Sequence, residues 1–306
     1  MSTIGTHVAD PVPAAPEQGP ETTSRTTRQI AWRRFRRHRA AMVGGIVLVV
    51  FYLVAIFAPL VAPYKPNDLD LKHSREGPSL RHLMGTDELG RDEFSRVVFG
   101  GRISLAVGLG VALSSGLIGT AVGVMAGFYG RFVDNALMRV TDLFLGLPFL
   151  AVAMMAARAL KGGISDIVII LSAVGWMPVA RIVRGMSLSI KEKEYMEAAR
   201  ASGASSKRMM MKHILPNTLG PIIVNVTLVI ALAILSESTL SFLGFGIQPP
   251  TATWGNMLSG SQDSMLSEPW LVWFPGLMIL ITVLCVNFVG DGLRDALDPT
   301  SAGRLG

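Results

Sequence analysis

The chain has 306 residues, 50% of them hydrophobic and only 16% charged, with a formal net charge of +6 and a single cysteine, Cys285. A soluble domain of this size carries nearer a quarter charged residues, so the composition excludes an ordinary water-soluble globular protein. One cysteine excludes an intrachain disulfide framework. The basic excess lies beside apolar runs, where it suits anionic headgroups rather than nucleic acid.

Residues 1–27 are polar and proline-containing, without apolar periodicity, and predict a disordered tail. No signal peptide is expected, because the first apolar run is too long and begins too far in. Region 28–62 joins a basic cluster (Arg28, Arg33, Arg34, Arg36, Arg37, Arg39) to an apolar run near 41–61. About 20 apolar residues cross a bilayer core. Further runs near 103–127, 147–160, 166–183, 219–245 and 271–289 complete six candidate spans. The third is the weakest, and Arg158 near its end is expected to snorkel to the headgroups.

The expected fold is therefore all-α: a polytopic protein of the cell membrane with six transmembrane helices. The arginine cluster predicts a cytoplasmic N terminus. Six spans return the C-terminal tail, 291–306, to the same side and leave the 248–270 loop, which has no Lys or Arg, outside. The basic residues of segment 63–102, external in this topology, run against the rule; the other loops carry the assignment.

Segment 63–102 contains Gly85-Thr86-Asp87-Glu88-Leu89-Gly90-Arg91-Asp92-Glu93-Phe94-Ser95-Arg96. Thr86 or Asp87 is expected to cap a helix with Glu88 in its first turn. Phe94, Val97 and Val98 would then lie along the membrane surface. A calcium site is disfavoured because the spacing departs from an EF-hand loop. Catalytic carboxylates are disfavoured because no nucleophile–base set stands nearby.

Between the fourth and fifth runs lies a polar, basic island, 191–217. It holds Glu197-Ala198-Ala199-Arg200-Ala201-Ser202-Gly203 and, nine residues later, His213-Ile214-Leu215-Pro216-Asn217. Lys191 to Arg200 favours a short helix, which Gly203 can end in the left-handed conformation. Lys207 to Ile214 predicts a second short helix, stopped by Leu215-Pro216.

Inside the spans, Glu237 costs about 2–3 kcal/mol or more at a helix centre, so it should face the bundle interior, a water-filled cavity or the interface. It reads either as a pathway residue meeting a substrate amino group or as a structural bond to Ser236, Ser238 or a neighbouring helix; the second is favoured. Asn225 and Asn287 are expected to tie helices together. Gly108, Gly110, Gly116, Gly119 and Gly123 would let helices approach closely. Asp291, Arg294, Asp295 and Asp298 fall at helical spacing and should make surface pairs. No Gly-x-x-x-x-Gly-Lys-Ser/Thr loop appears, so ATP hydrolysis is not expected on this chain. No metal-ligand cluster and no catalytic set is apparent.

The Glu-Ala-Ala, Gly and Leu-Pro spacing resembles the EAA loop of ABC importer permeases. The Gly85–Arg96 stretch, Gly100-Gly101-Arg102-Ile103-Ser104-Leu105, Glu237–Gly244 and Gly290–Pro299 together are similar to the dipeptide/oligopeptide/nickel permease family, in its second, C-type subunit. His213 stands where an aliphatic residue is usual and matches the peptide-importer branch. The resemblance implies a type I ABC importer permease fold with a core at 103–290, and an importer of di- or oligopeptides. It assigns ATPase coupling to Glu197, Ala198, Ala199, Gly203, Leu215 and Pro216. It implies as partners a homologous B-type permease, two ATP-binding cassette domains carrying ATP and Mg, an extracytoplasmic substrate-binding protein and membrane lipid. Nickel or another small solute is the alternative cargo. A stand-alone secondary carrier would need ion-coupling residues in broken helices, and no clear set is present. A membrane-embedded enzyme would need a catalytic constellation.

Overall fold

The computed structural model describes residues 27–160 and 162–298. The tail expected to be disordered, apart from Thr27, and the end of the C-terminal segment, 299–306, lie outside those residues. Twelve α-helices follow one another among the described residues: α1 (Thr27–Arg37), α2 (Arg39–Ile56), α3 (Ala58–Val61), α4 (Glu93–Tyr129), α5 (Arg131–Leu145), α6 (Phe149–Ala159), α7 (Ile164–Lys191), α8 (Glu194–Ala201), α9 (Ser206–Met209), α10 (Leu215–Phe242), α11 (Trp254–Gly260) and α12 (Trp270–Leu297). No strand forms among these residues; Thr86 and Asp92 make one isolated antiparallel bridge.

Five helices are long and apolar enough to cross a membrane: α2, α4, α7, α9 running into α10, and α12. Helices α5 and α6 meet at 88°, so the sixth expected span is present only if these two arms together make one crossing. Gly146-Leu147-Pro148 lies at the break: a proline cannot donate to the preceding turn, and it pushes the residue before it out of the helical region. The apolar run near 147–160 is thus only the second arm. An 11-residue helix rises about 16 Å, half of the hydrocarbon core.

Helix α4 starts ten residues earlier than the apolar run near 103–127 suggests. Its 37 residues rise about 55 Å, well beyond a core of about 30 Å. The cap is Asp92, whose side chain accepts from the Ser95 N–H at 2.8 Å; Thr86 and Asp87 do not cap it. Val97 and Val98 are buried rather than laid on a membrane surface, and Val97 packs with Ala252 and Met257.

The closest packing is between α4 and α7. Gly119, Gly123 and Gly127 sit four residues apart and therefore on one face of α4. A Cβ at these positions would come within 2.6 Å of Trp176 O, 2.6 Å of Ala180 O and 2.8 Å of Arg184 O, again four residues apart on α7. Small residues are what let two backbones meet this way in a membrane. Gly127 belongs to this row although sequence alone singled out only the first two. Gly123→Val is expected to separate the helices and remove most of the folded protein, seen as loss of the monodisperse peak on size exclusion in detergent. A substituted protein with the parent's thermal midpoint would show the row to be dispensable.

Pro216 does not stop a helix. Residues 210–214 form a π-helical stretch, Leu215 N–H bonds to Met210 O five residues back, and α10 continues to Phe242. The wider turn removes the position at which the proline ring would meet a carbonyl, so Pro216 falls in the first turn of α10, where its missing N–H costs little.

At the other end of the chain, α12 extends past 291 to Leu297, so the expected tail begins as helix. Gly292 lets it lie against α2, where a Cβ would stand 2.3 Å from the Ala41 Cβ. Asp295 lies 3.8 Å from His38, and Arg34 donates to the Asp298 carbonyl at 3.0 Å. These contacts tie α12 to α1 and α2. The Asn225 amide donates to Pro221 O on its own helix, and among the described residues it makes no hydrogen bond to a neighbouring helix.

Candidate functional site

The 191–217 island folds as two short arms across one end of the bundle. Lys191 ends α7, so the first arm, α8, begins later than helix propensity suggests and runs Glu194–Ala201. Its exit is a Schellman turn. Gly203 N–H bonds to Arg200 O and Ala204 N–H to Ala199 O, both at 3.0 Å, with Gly203 at φ +77°. Ser205 caps α9 by accepting from Arg208 N–H, and α9 passes through the π stretch into α10. Tyr195 and His213 rings, 6.1 Å apart, link the two arms.

Burial separates two faces. Met196, Met209 and Ile214 are buried and pack with Val124, Phe128, Val179, Val183, Ile190 and Ile222, at the ends of α4, α7 and α10. Glu197, Ala198, Gly203 and Pro216 are exposed, and Ala199 and Leu215 are half-buried. The predicted coupling residues thus lie on a presented surface, anchored from beneath. Met196 is the anchor that sequence reading missed; an apolar side chain among the charges of an eight-residue helix, about 100° round from Glu197, was the available signal. Basic residues Arg200, Lys207, Arg208 and Lys212 stand on the exposed side.

About two and three turns above the loop, two ion pairs fasten α5 to α7. Arg184 clasps Asp134 with both Nε and Nη2, the latter at 2.6 Å from Oδ2, and Arg181 pairs with the more exposed Asp142. This bidentate geometry is the stronger form of the Arg–carboxylate bond.

Glu237 lies near the opposite end, fully buried. Its Oε1 accepts from Ser241 Oγ at 2.8 Å, and its Oε2 from Ser104 Oγ at 3.2 Å and Ser238 Oγ at 3.4 Å. Ser104 also accepts from Trp254 N–H at 3.3 Å, so one carboxylate connects α4, α10 and α11. Ser238 and a neighbouring helix were foreseen as partners; Ser236 makes no such bond, and Ser241 and Ser104 take its place.

The 85–96 segment builds a cap over this end. His82 Nδ1 lies 2.9 Å from Asp92 Oδ1, both side chains being buried, while Asp92 Oδ2 accepts from Ser95 Oγ at 2.7 Å. Nearby, a hydrogen bond from His73 holds the exposed Asp70 carboxyl below its ordinary range. At Gly90, φ is +72° and a Cβ would stand 1.8 Å from Asp70 O, so no other residue fits this turn. Among the described residues, no group of three or more His, Cys, Asp and Glu is placed to hold a metal.

Comparison with known proteins adds an independent line. The family profile described as binding-protein-dependent transport system inner membrane component matches residues 119–302. A second, the N-terminal TM domain of oligopeptide transport permease C, matches residues 26–78. A putative peptide transport system permease protein of Brucella abortus biovar 1 (strain 9-941) is 42% identical over 267 residues, 87% of this chain and 90% of that protein. The dipeptide transport system permease protein of Bacillus subtilis (strain 168) is 42% identical over 272 residues, 89% of this chain and 85% of its own length. The glutathione transport system permease protein of Escherichia coli O6:K15:H31 (strain 536 / UPEC) is also 42% identical, over 273 residues, 89% and 90% of the two chains.

Proposed function

The chain belongs to the binding-protein-dependent transport system inner membrane components, and on that premise we propose that it is one half of the membrane channel of an ATP-driven importer of di- and oligopeptides. The observation that carries this reading is the anchored loop: buried Met196, Met209 and Ile214 beneath, exposed Glu197, Ala198 and Gly203 above. A surface element so fixed can receive a push and pass it to α7 and α10 without yielding. Relatives named for dipeptide and for glutathione transport support peptide-like cargo, glutathione being itself a tripeptide with one unusual linkage.

In this reading the N and C termini and the 191–217 loop face the cytoplasm, as the arginines of α1 favour. The cap and α11 face outward. A homologous permease completes the channel, two ATP-binding cassette domains bind the loops and carry ATP and Mg, and an extracytoplasmic protein delivers cargo. ATP binding closes the cassettes and displaces the loop; the helices anchored to it switch the shared cavity from inward- to outward-facing. Hydrolysis on the partner resets it, and this chain performs no chemistry. Glu237 acts as a tie between α4 and α10 rather than as a contact to cargo.

Reconstitution of the chain with its partner subunits and binding protein tests this directly. ATPase activity should rise with peptides of a defined length. Stimulation by Ni²⁺ alone would move the cargo to metal, and failure to assemble with any ATPase would remove the importer reading.

A further inference from the structure

Where α4 begins, the 85–96 turn and the 247–271 segment enclose a polar cavity of about 300 Å³, at the lower end of small-molecule sites. Most polar groups in its wall are already engaged. Asp87 Oδ1 accepts from Leu89 N–H at 2.9 Å and Arg91 N–H at 3.0 Å, and Oδ2 takes Arg91 Nε at 2.7 Å, with Arg96 Nε at 3.7 Å. The Asn256 amide donates to Ile247 O and Thr251 O and accepts from Thr253 N–H.

Glu93 is the exception. It lines the same cavity, is 2% exposed, and its Oε1 has no hydrogen-bond partner. A buried carboxyl oxygen without a donor calls for one. The cavity also presents Arg91 and Arg96 beside the carboxyls of Asp87, Glu88 and Glu93; both Nε atoms turn to Asp87 Oδ2 and Arg96 Nη1 donates to Pro66 O at 3.3 Å, and the planar guanidinium forks suit a ligand carboxylate. We infer that this cavity is a binding site for a small zwitterion, with Glu93 receiving the ligand's ammonium group and Arg91 and Arg96 its carboxylate. A short peptide carries both groups at its ends, and the choice of a peptide rests on the importer reading above. The site lies within this single chain, on the side from which cargo arrives in that reading.

The test is equilibrium binding of labelled dialanine and of N-acetyl-dialanine to the purified assembly without its extracytoplasmic protein. Dialanine should bind saturably, and acetylation should weaken it at least tenfold. Glu93→Gln, which keeps the side-chain volume, should weaken dialanine by a similar factor and erase the difference between the two probes. Dialanine binding within twofold of the parent in Glu93→Gln, or equal binding of both probes to the parent, overturns the site. The second arm needs no variant and stands even if the substitution unfolds the protein. Dialanine uptake by cells decides the cargo separately. Normal uptake with no Glu93-dependent binding removes the site alone, whereas Glu93-dependent binding without uptake supports the site and removes the peptide importer.

Discussion

Gly203→Val is expected to abolish transport while leaving the chain folded, inserted and assembled with its ATPase. The expectation follows from two properties of the position that pull apart. The backbone is at φ +77°, which costs an L-residue about 1–2 kcal/mol and a β-branched one more. Yet nothing lies within 4 Å of where a Cβ would be. The side chain itself therefore meets no obstacle, and the bundle beneath has no reason to rearrange. The strain is relieved locally, by opening the Schellman turn that sets the angle between α8 and α9. Asn tolerates the left-handed region, so Gly203→Asn should keep most of the activity. Dipeptide uptake, ATPase activity and co-purification of the ATPase are the readouts. The Val variant should lose the first, release the second from control by cargo and retain the third. Normal uptake in Gly203→Val, with the ATPase docked, would take the loop out of the coupling path.

The second large effect is expected at Glu237. Glu237→Leu leaves the hydroxyls of Ser104, Ser238 and Ser241 facing an apolar group where a carboxylate had accepted from all three. Each buried polar group left unpaired costs about 1–3 kcal/mol, a large share of a typical domain stability of about 5–15 kcal/mol. The variant should therefore fail to accumulate, or lose tens of degrees of thermal midpoint. Glu237→Gln keeps an acceptor oxygen and the shape, and should retain both fold and uptake. A folded Gln variant that no longer transports would instead make the negative charge itself part of the peptide's path.

How much of this could be read from the residues depends on the range over which each signal acts. The turn at Gly203 is specified within seven residues, by helix formers before it and a glycine at the one position that needs positive φ; sequence was enough. Pro216 misled because the rule that proline ends helices assumes regular α geometry ahead of it, and residues 210–214 do not have that geometry. The start of α4 was ambiguous for a different reason. Thr86, Asp87 and Asp92 are all competent caps, and what selects Asp92 is a contact with His82 in the folded cap. Glu237 could be recognised as costly, but its partner Ser104 is 133 positions away and no local pattern reaches that far. The apolar count found the second arm of the bent α5–α6 pair but not the first, because α5 is amphipathic and charged, held by Arg181 and Arg184 of α7 rather than by apolar burial.

The row of glycines between α4 and α7 fixes more than a distance. With carbonyls seated opposite Gly119, Gly123 and Gly127, the two helices can neither slide nor roll past one another without backbone atoms colliding. They behave as a single strut. One of its ends is the cap that begins at Asp92; the other carries Lys191, two residues from α8. In the proposed importer, a tilt imposed at the loop would be carried along this strut to Glu93 and Arg96 at the start of α4. In that reading the length of α4, about 55 Å against a hydrocarbon core of about 30 Å, would give the strut leverage: a small displacement near a pivot becomes a larger one at the far tip.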